Sequence, residues 1–245
     1  MINGASKFFL ILAMFVFVKF NKAQQVKNLT DFDEKPFHFG FALSFNNSSY
    51  YLQQSSPPFE DDSLGILSEL IVNSSTGFTL GVVSSLNINP NFKIRFAIPS
   101  LSFQERIISF SYLDDNNNEI KIFRKNLRPV YLDFPAMIKI RTDRINNWAM
   151  YSITGIRFGI DMASERDVVN QGLPLDDQIV KLKKTDFGFE IGGGFDFFLQ
   201  YFKLGVELKL GSGMINIHQN ESNFFDMPIE SLRSKVWTFS LTFEG

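Results

Sequence analysis

The sequence predicts an all-β chain, an eight-stranded antiparallel transmembrane β-barrel of the outer-membrane type. Three observations predict it: residues alternate with a period of two over most of the chain, an export signal precedes them, and the connections between alternating segments are long and short by turns. All but five of the 29 phenylalanines follow residue 23. Phe37, Phe39, Phe41, Leu43 and Phe45 fall on one face, and His38, Gly40, Ala42, Ser44 and Asn46 on the other. A soluble sandwich would turn the aromatic face to a core, whereas a membrane strand turns it to lipid and its polar face to a lumen.

The leader decides between these solvents. Lys7, the apolar run Phe8 to Val18 and the small residue Ala23 read as a signal peptide over residues 1–23, cleaved after about Ala23. The run is too short to span a bilayer as a helix, and no other long apolar segment follows, which excludes a helical inner-membrane protein. With no cysteine, neither a lipid-modified cysteine nor a disulfide framework is available. An exported chain of alternating strands without a helical anchor belongs in a bacterial outer membrane, with both termini periplasmic.

Residues 24–35 form a polar periplasmic lead, and 36–245 the barrel. The first strand runs from about Pro36 to Asn46, and Asn47 to Thr76 lacks sustained alternation and reads as a long loop. Gly77 to Leu86 is the second strand, followed by the Asn/Pro turn Asn87 to Asn91. The third starts at Phe92 and projects to Tyr112; after a tip at Asp114 to Glu119, the fourth returns from Ile120 to Ile140, imperfect at Pro129 and Pro135. Thr142 to Asn147 is a short turn, Trp148 to Met162 the fifth strand, and Ala163 to Lys183 a polar loop. The sixth strand carries Phe187, Phe189, Ile191 and Phe195 outward, with Phe195 at mid-wall, and turns at Phe197 to Tyr201. The seventh runs from Phe202 to Gly211, a last loop spans Asn216 to Glu230, and Trp237, Phe239, Leu241 and Phe243 close the eighth.

The opposite faces predict the interior. Lys93, Arg95, Lys139, Arg157, Lys203 and Lys209 face the lumen with Asp133, Asp161, Asp186, Glu190, Asp196 and Glu207. An eight-stranded barrel is just wide enough to be filled by side chains, so these charges must pair, as a packed ion-pair network. A proton path or ligand pocket built from the same groups is the sharper alternative. The inward glycines Gly192 and Gly194 relieve crowding; a phosphate loop would need a helix start after them.

Several functions are disfavoured. Without the leader's three lysines, 21 basic residues face 26 acidic ones, a net charge of −5 that offers nothing to nucleic acid. His38 and His218 are the only histidines and sit in no motif, so neither an enzyme, a metal site nor a cofactor site is expected. The partners expected are outer-membrane lipid and, during biogenesis, the barrel-assembly machinery.

Three stretches carry a family resemblance. Asn28, Leu29, Phe32, Asp33 and Lys35 lead into His38, Phe39, Gly40 and Phe41; Asn146, Asn147, Tyr151, Gly155 and Asp161 mark the fifth strand; Glu190, Ile191, Gly192, Gly194, Phe195, Asp196, Leu199, Tyr201, Phe202, Lys203, Glu207 and Lys209 span the sixth and seventh. They resemble the PorT (SprT) family of outer-membrane proteins of the Bacteroidetes type IX secretion system. The resemblance implies a non-enzymatic barrel needed to export proteins with C-terminal sorting domains and, in gliding species, adhesins. It implies translocon assembly or stabilisation, with other secretion components as partners. The alternative is a small structural or ligand-binding barrel acting through its extracellular loops.

Overall fold

The computed structural model describes residues 26–56, 60–61, 65–114, 119–165, 167–221 and 223–245. The expected signal peptide and Gln24 lie outside these residues, as does the tip at 115–118. No helix among the described residues is long and apolar enough to cross a membrane. The strands are β1 (Phe37–Gln54), β2 (Glu60–Asp61), β3 (Gly65–Asn87), β4 (Phe92–Phe103), β5 (Arg106–Asp114), β6 (Glu119–Leu127), β7 (Val130–Arg141), β8 (Trp148–Asp161), β9 (Thr185–Phe198), β10 (Lys203–Gly213) and β11 (Ile229–Glu244).

Eight of them close a ring in the order β1-β11-β10-β9-β8-β7-β4-β3, and β3 pairs back onto β1. Every pairing is antiparallel. Closure leaves this ring without an edge, so each wall strand has its backbone paired on both sides, as hydrocarbon requires. The outward face is the aromatic one: Phe37, Phe39, Phe41 and Phe45 are more than half exposed in the isolated chain, whereas His38, Ser44 and Asn46 are buried inside. Short turns at 88–91, 142–147 and 199–202 lie at one end with the carboxyl terminus, and the long connections lie at the other.

The long-loop end departs from the expected loops. Residues 47–54 and 65–76 are strand, continuing β1 against β11 and β3 against β5. Above the aromatic band both faces become polar or mixed, so hydrophobic alternation disappears while strand pairing continues. The expected third and fourth strands each break in two, at Gln104–Glu105 and Arg128–Pro129, where the Gln104 N–H donates to the Pro129 carbonyl at 3.2 Å. Beyond the breaks, the β5–β6 hairpin leaves the barrel wall and β6 pairs only with β5. β11 begins at Ile229, eight residues before Trp237.

These extensions enclose a second core. Tyr50, Leu67, Ile108, Phe110, Phe225 and Leu232 belong to one buried apolar cluster, covered by segments of the 162–184 and 214–228 connections. Lys125, on the inner face of β6, donates to the Leu175 and Asp176 carbonyls at 2.6 and 2.9 Å and lies 4.1 Å from the Phe225 ring, pinning one of these connections down.

Depth along the wall follows from register. Ile191 lies opposite Thr154 and Leu210 near the middle of its strand. Phe195 lies beside Trp148, with ring centroids 6.3 Å apart, three residues from the short-turn end of β9. The mid-wall position expected of Phe195 is therefore occupied by Ile191, and Phe195 belongs to the aromatic girdle.

Candidate functional site

Inward positions of six wall strands build a ladder of charge along the barrel axis. From the short-turn end, Lys203 pairs with Glu244 at 2.9 Å, Glu244 with Arg95 at 3.0 Å, and Arg95 with Glu207 at 2.9 Å. Lys209 bridges Glu207 at 3.7 Å to Glu190 at 3.0 Å. Arg157 then reaches Glu190 at 3.7 Å, Asp133 at 2.7 Å and Asp186 at 2.6 Å. Signs alternate at each step, so each buried charge has opposite charge beside it. Lys139 pairs alongside with Asp196 at 2.8 Å and sits 3.5 Å from the centre of the Tyr151 ring, while the Tyr151 hydroxyl donates to Glu207 at 2.9 Å. Gly194 makes room for that ring: a Cβ there would come within 2.8 Å of the Tyr151 hydroxyl.

The opposite half of the lumen is lined by hydroxyls. The Ser44 hydroxyl donates to Ser240 at 2.9 Å, and Thr79 and Ser102 share a hydrogen bond of the same length. Between the two halves is a cavity of about 90 Å³, space for a few waters and too little for a polypeptide.

Two of the twelve expected lumen charges are placed differently. Asp161 meets no cation within 4 Å among the described residues; at the long-loop end of β8 it accepts the Val130 and Ala163 amides, each at 3.0 Å. Its strand is ending there, and the freed backbone donors of the following turn take its oxygen. Lys93 lies at the short-turn mouth apart from the ladder, paired with Asp33 at 2.9 Å. Sequence reasoning missed four participants. Glu244 and Tyr151 occupy inward positions of β11 and β8, and period two gives their side but not their partners. Arg141 continues the inward series of Lys139 at the last position of β7, and nothing local marks the segment of Asp33 as packed.

Asp33 belongs to a plug. Residues Thr30–Asp33 form one turn of 3-10 helix under the short-turn mouth. Phe32, 5% exposed, stacks on His38 with centroids 3.6 Å apart and meets Phe198 edge-on at 5.8 Å. Asn28 donates twice at this rim: its N–H to Asn147 Oδ1 at 2.9 Å and its side-chain amide to the Phe198 carbonyl at 3.0 Å. Asp33 takes two hydrogen bonds from Arg141, at 2.9 and 2.7 Å, beside the Lys93 pair. Burial raises the Asp33 carboxyl pKa, but Arg141 and Lys93 outweigh it and hold it down at about 2. The resulting stability is full above the ordinary carboxylate value and is lost as pH falls through about 2. Asp33→Asn is therefore expected to cost about 1–2 kcal/mol at neutral pH after allowance for solvent screening. Comparing its urea unfolding with that of the parent between neutral pH and pH 2 checks this; the difference should shrink steadily as pH falls toward 2.

At the far end Arg106, fully buried, donates to the Ser49 carbonyl and the Tyr50 hydroxyl, each at 3.1 Å, and to Gln104, separating the lumen from the long-loop core. His218 lies in that core, its Nε2 3.1 Å from Asp226 Oδ1, both side chains buried. Burial pushes the Asp226 carboxyl up, against the His218 hydrogen bond. The two histidines are thus at opposite ends of the molecule, and no group of three or more His, Cys, Asp or Glu among the described residues could hold a metal.

Solved structures similar to this chain include neisserial surface protein A, 11% identical with a TM-score of 0.40 over 84% of this chain and 96% of that one. OprG of Pseudomonas aeruginosa is 13% identical with a TM-score of 0.40, over 84% and 94%. Ail of Yersinia pestis, solved with the heparin analogue sucrose octasulfate, is 10% identical with a TM-score of 0.35, over 86% and 100%. A search of curated proteins finds no match. The profile of one family matches residues 22–219. With a closed ring of eight antiparallel strands, an aromatic exterior and a polar interior, this chain belongs to the outer-membrane protein beta-barrel domain family.

Proposed function

We propose that this chain is a non-enzymatic barrel component of the type IX secretion machinery, required for export of proteins with C-terminal sorting domains and, in gliding species, for motility. In this reading the short-turn end and both termini of the mature chain face the periplasm after cleavage near Ala23, and the long-loop end faces outward. The observation that carries it is that the axis is filled in succession by the plug, the charge ladder and the long-loop core. A barrel filled in this way offers surfaces and no conduit, which suits assembly or stabilisation of a translocon made by other components. The residues of the family resemblance also converge in space: Asn28, Phe32, Asp33 and Asn147 at the plug, Tyr151, Gly194 and Glu207 in the ladder. The secretion role itself rests on that resemblance.

Clean deletion of the gene should leave sorting-domain cargo in the periplasm, read by fractionation and immunoblotting; normal export would overturn the proposal. A second reading, a binding barrel acting through its outer end, is favoured by the separate core there. Removing the β5–β6 hairpin, residues 106–127, distinguishes them: under the second reading the phenotype is lost while cargo export persists.

A further inference from the structure

The outward residues of β11 change character at one level. Phe243, Leu241, Phe239 and Trp237 form a continuous apolar row, and the next two outward positions are Lys235 and Arg233. Lys235 lies opposite Ser49 and Ser212, and Arg233 opposite Tyr51. The Lys235 ammonium is 5.1 Å from the Tyr51 ring centre, which orients it over an aromatic face. Neither cation has a carboxylate within 4 Å among the described residues; Glu230, at the same end of β11, is engaged by the Gln53 amide at 2.7 Å. Near this level on another part of the wall, Arg128 is neutralised by Glu105 at 2.7 Å. This unpaired couple of cations lies directly above the lipid-facing Trp237 and its neighbours Phe45 and Phe239.

Two outward positions on one strand are about 7 Å apart, a spacing that lets a guanidinium and an ammonium close on one phosphate, the guanidinium with two parallel bonds. The apolar row below supplies a surface for acyl chains. We propose that Arg233, Lys235 and Tyr51 form a headgroup site for a lipid bearing a phosphate monoester, with its chains lying against Trp237 and Phe45. Its placement in the outer leaflet rests on the orientation given under Proposed function; its binding chemistry does not.

The test uses the full mature chain carrying Trp148→Phe, so that Trp237 is the sole tryptophan, folded into phosphatidylcholine vesicles. Brominated phosphatidic acid and brominated phosphatidylcholine are compared as quenchers of Trp237 at equal mole fraction. Enrichment of phosphatidic acid next to Trp237 by about tenfold is expected from two cations at a membrane surface. It should disappear in Arg233→Gln/Lys235→Gln and fade at high salt, while Lys121→Gln/Arg124→Gln on β6 retains it. Equal quenching by the two lipids in the parent, or a preference unchanged in the Arg233/Lys235 variant, would overturn the proposal. Should that double variant fail to fold, Lys235→Gln alone and the salt dependence of the parent decide the matter. Vesicles contain no secretion partner, so a failed export experiment and a failed lipid experiment are separate results.

Discussion

Replacing Arg157 with methionine is expected to destabilise the folded barrel by about 3–5 kcal/mol, the largest effect of any single lumen substitution. Arg157 is 5% exposed and serves three carboxylates, Asp133, Asp186 and Glu190, of which Asp186 is fully buried and also held by Ser234 at 2.6 Å. Removing the cation strands Asp133 and Asp186, and leaves Glu190 to Lys209 alone, in a space that water enters only as a few molecules. Arg157→Lys should recover only part of the loss, because an ammonium is a point charge and cannot span two carboxylates as the planar fork does. Urea titration in vesicles, followed by tryptophan fluorescence, measures both variants. A loss below about 1 kcal/mol for Arg157→Met would mean that the ladder holds little of the wall together.

Ile191→Arg is expected to cost about 2–4 kcal/mol, and Phe195→Arg about 0–1 kcal/mol, in the same measurement. Both side chains face lipid, at 53% and 40% exposure in the isolated chain, but they differ in depth. Ile191 lies near mid-wall, where an arginine cannot reach water without thinning the bilayer. Phe195 lies in the girdle beside Trp148, close enough to the short-turn rim for an arginine to extend its head into the interface. Equal costs at the two positions would contradict the register that sets their depth.

What was legible in the sequence follows from the solvent each side chain meets. Phe37 to Phe45 alternate because lipid lies on one side and the lumen on the other, and the same pattern identifies eleven of the twelve expected charges that stand in the ladder, its flanking Lys139–Asp196 pair and the short-turn pair of Lys93. The remaining one, Asp161, is a backbone acceptor. The strands beyond the membrane were illegible for the converse reason. At residues 47–54 and 65–76 no single solvent imposes a period, and only pairing with β11 and β5 makes them strand.

By itself, the sequence determined the two-faced strands, their number in the ring, the alternation of connections and the sign and side of the lumen charges. All of these are local consequences of a period of two. Only the tertiary structure decided who pairs with whom: that Lys209 joins Glu207 to Glu190, that Arg157 gathers carboxylates from β7 and β9, that Asp33 crosses from the lead to Arg141, and that the outer strands enclose a core of their own. Partners in a closed barrel are set by shear and register between strands far apart in sequence, and no local pattern encodes that register.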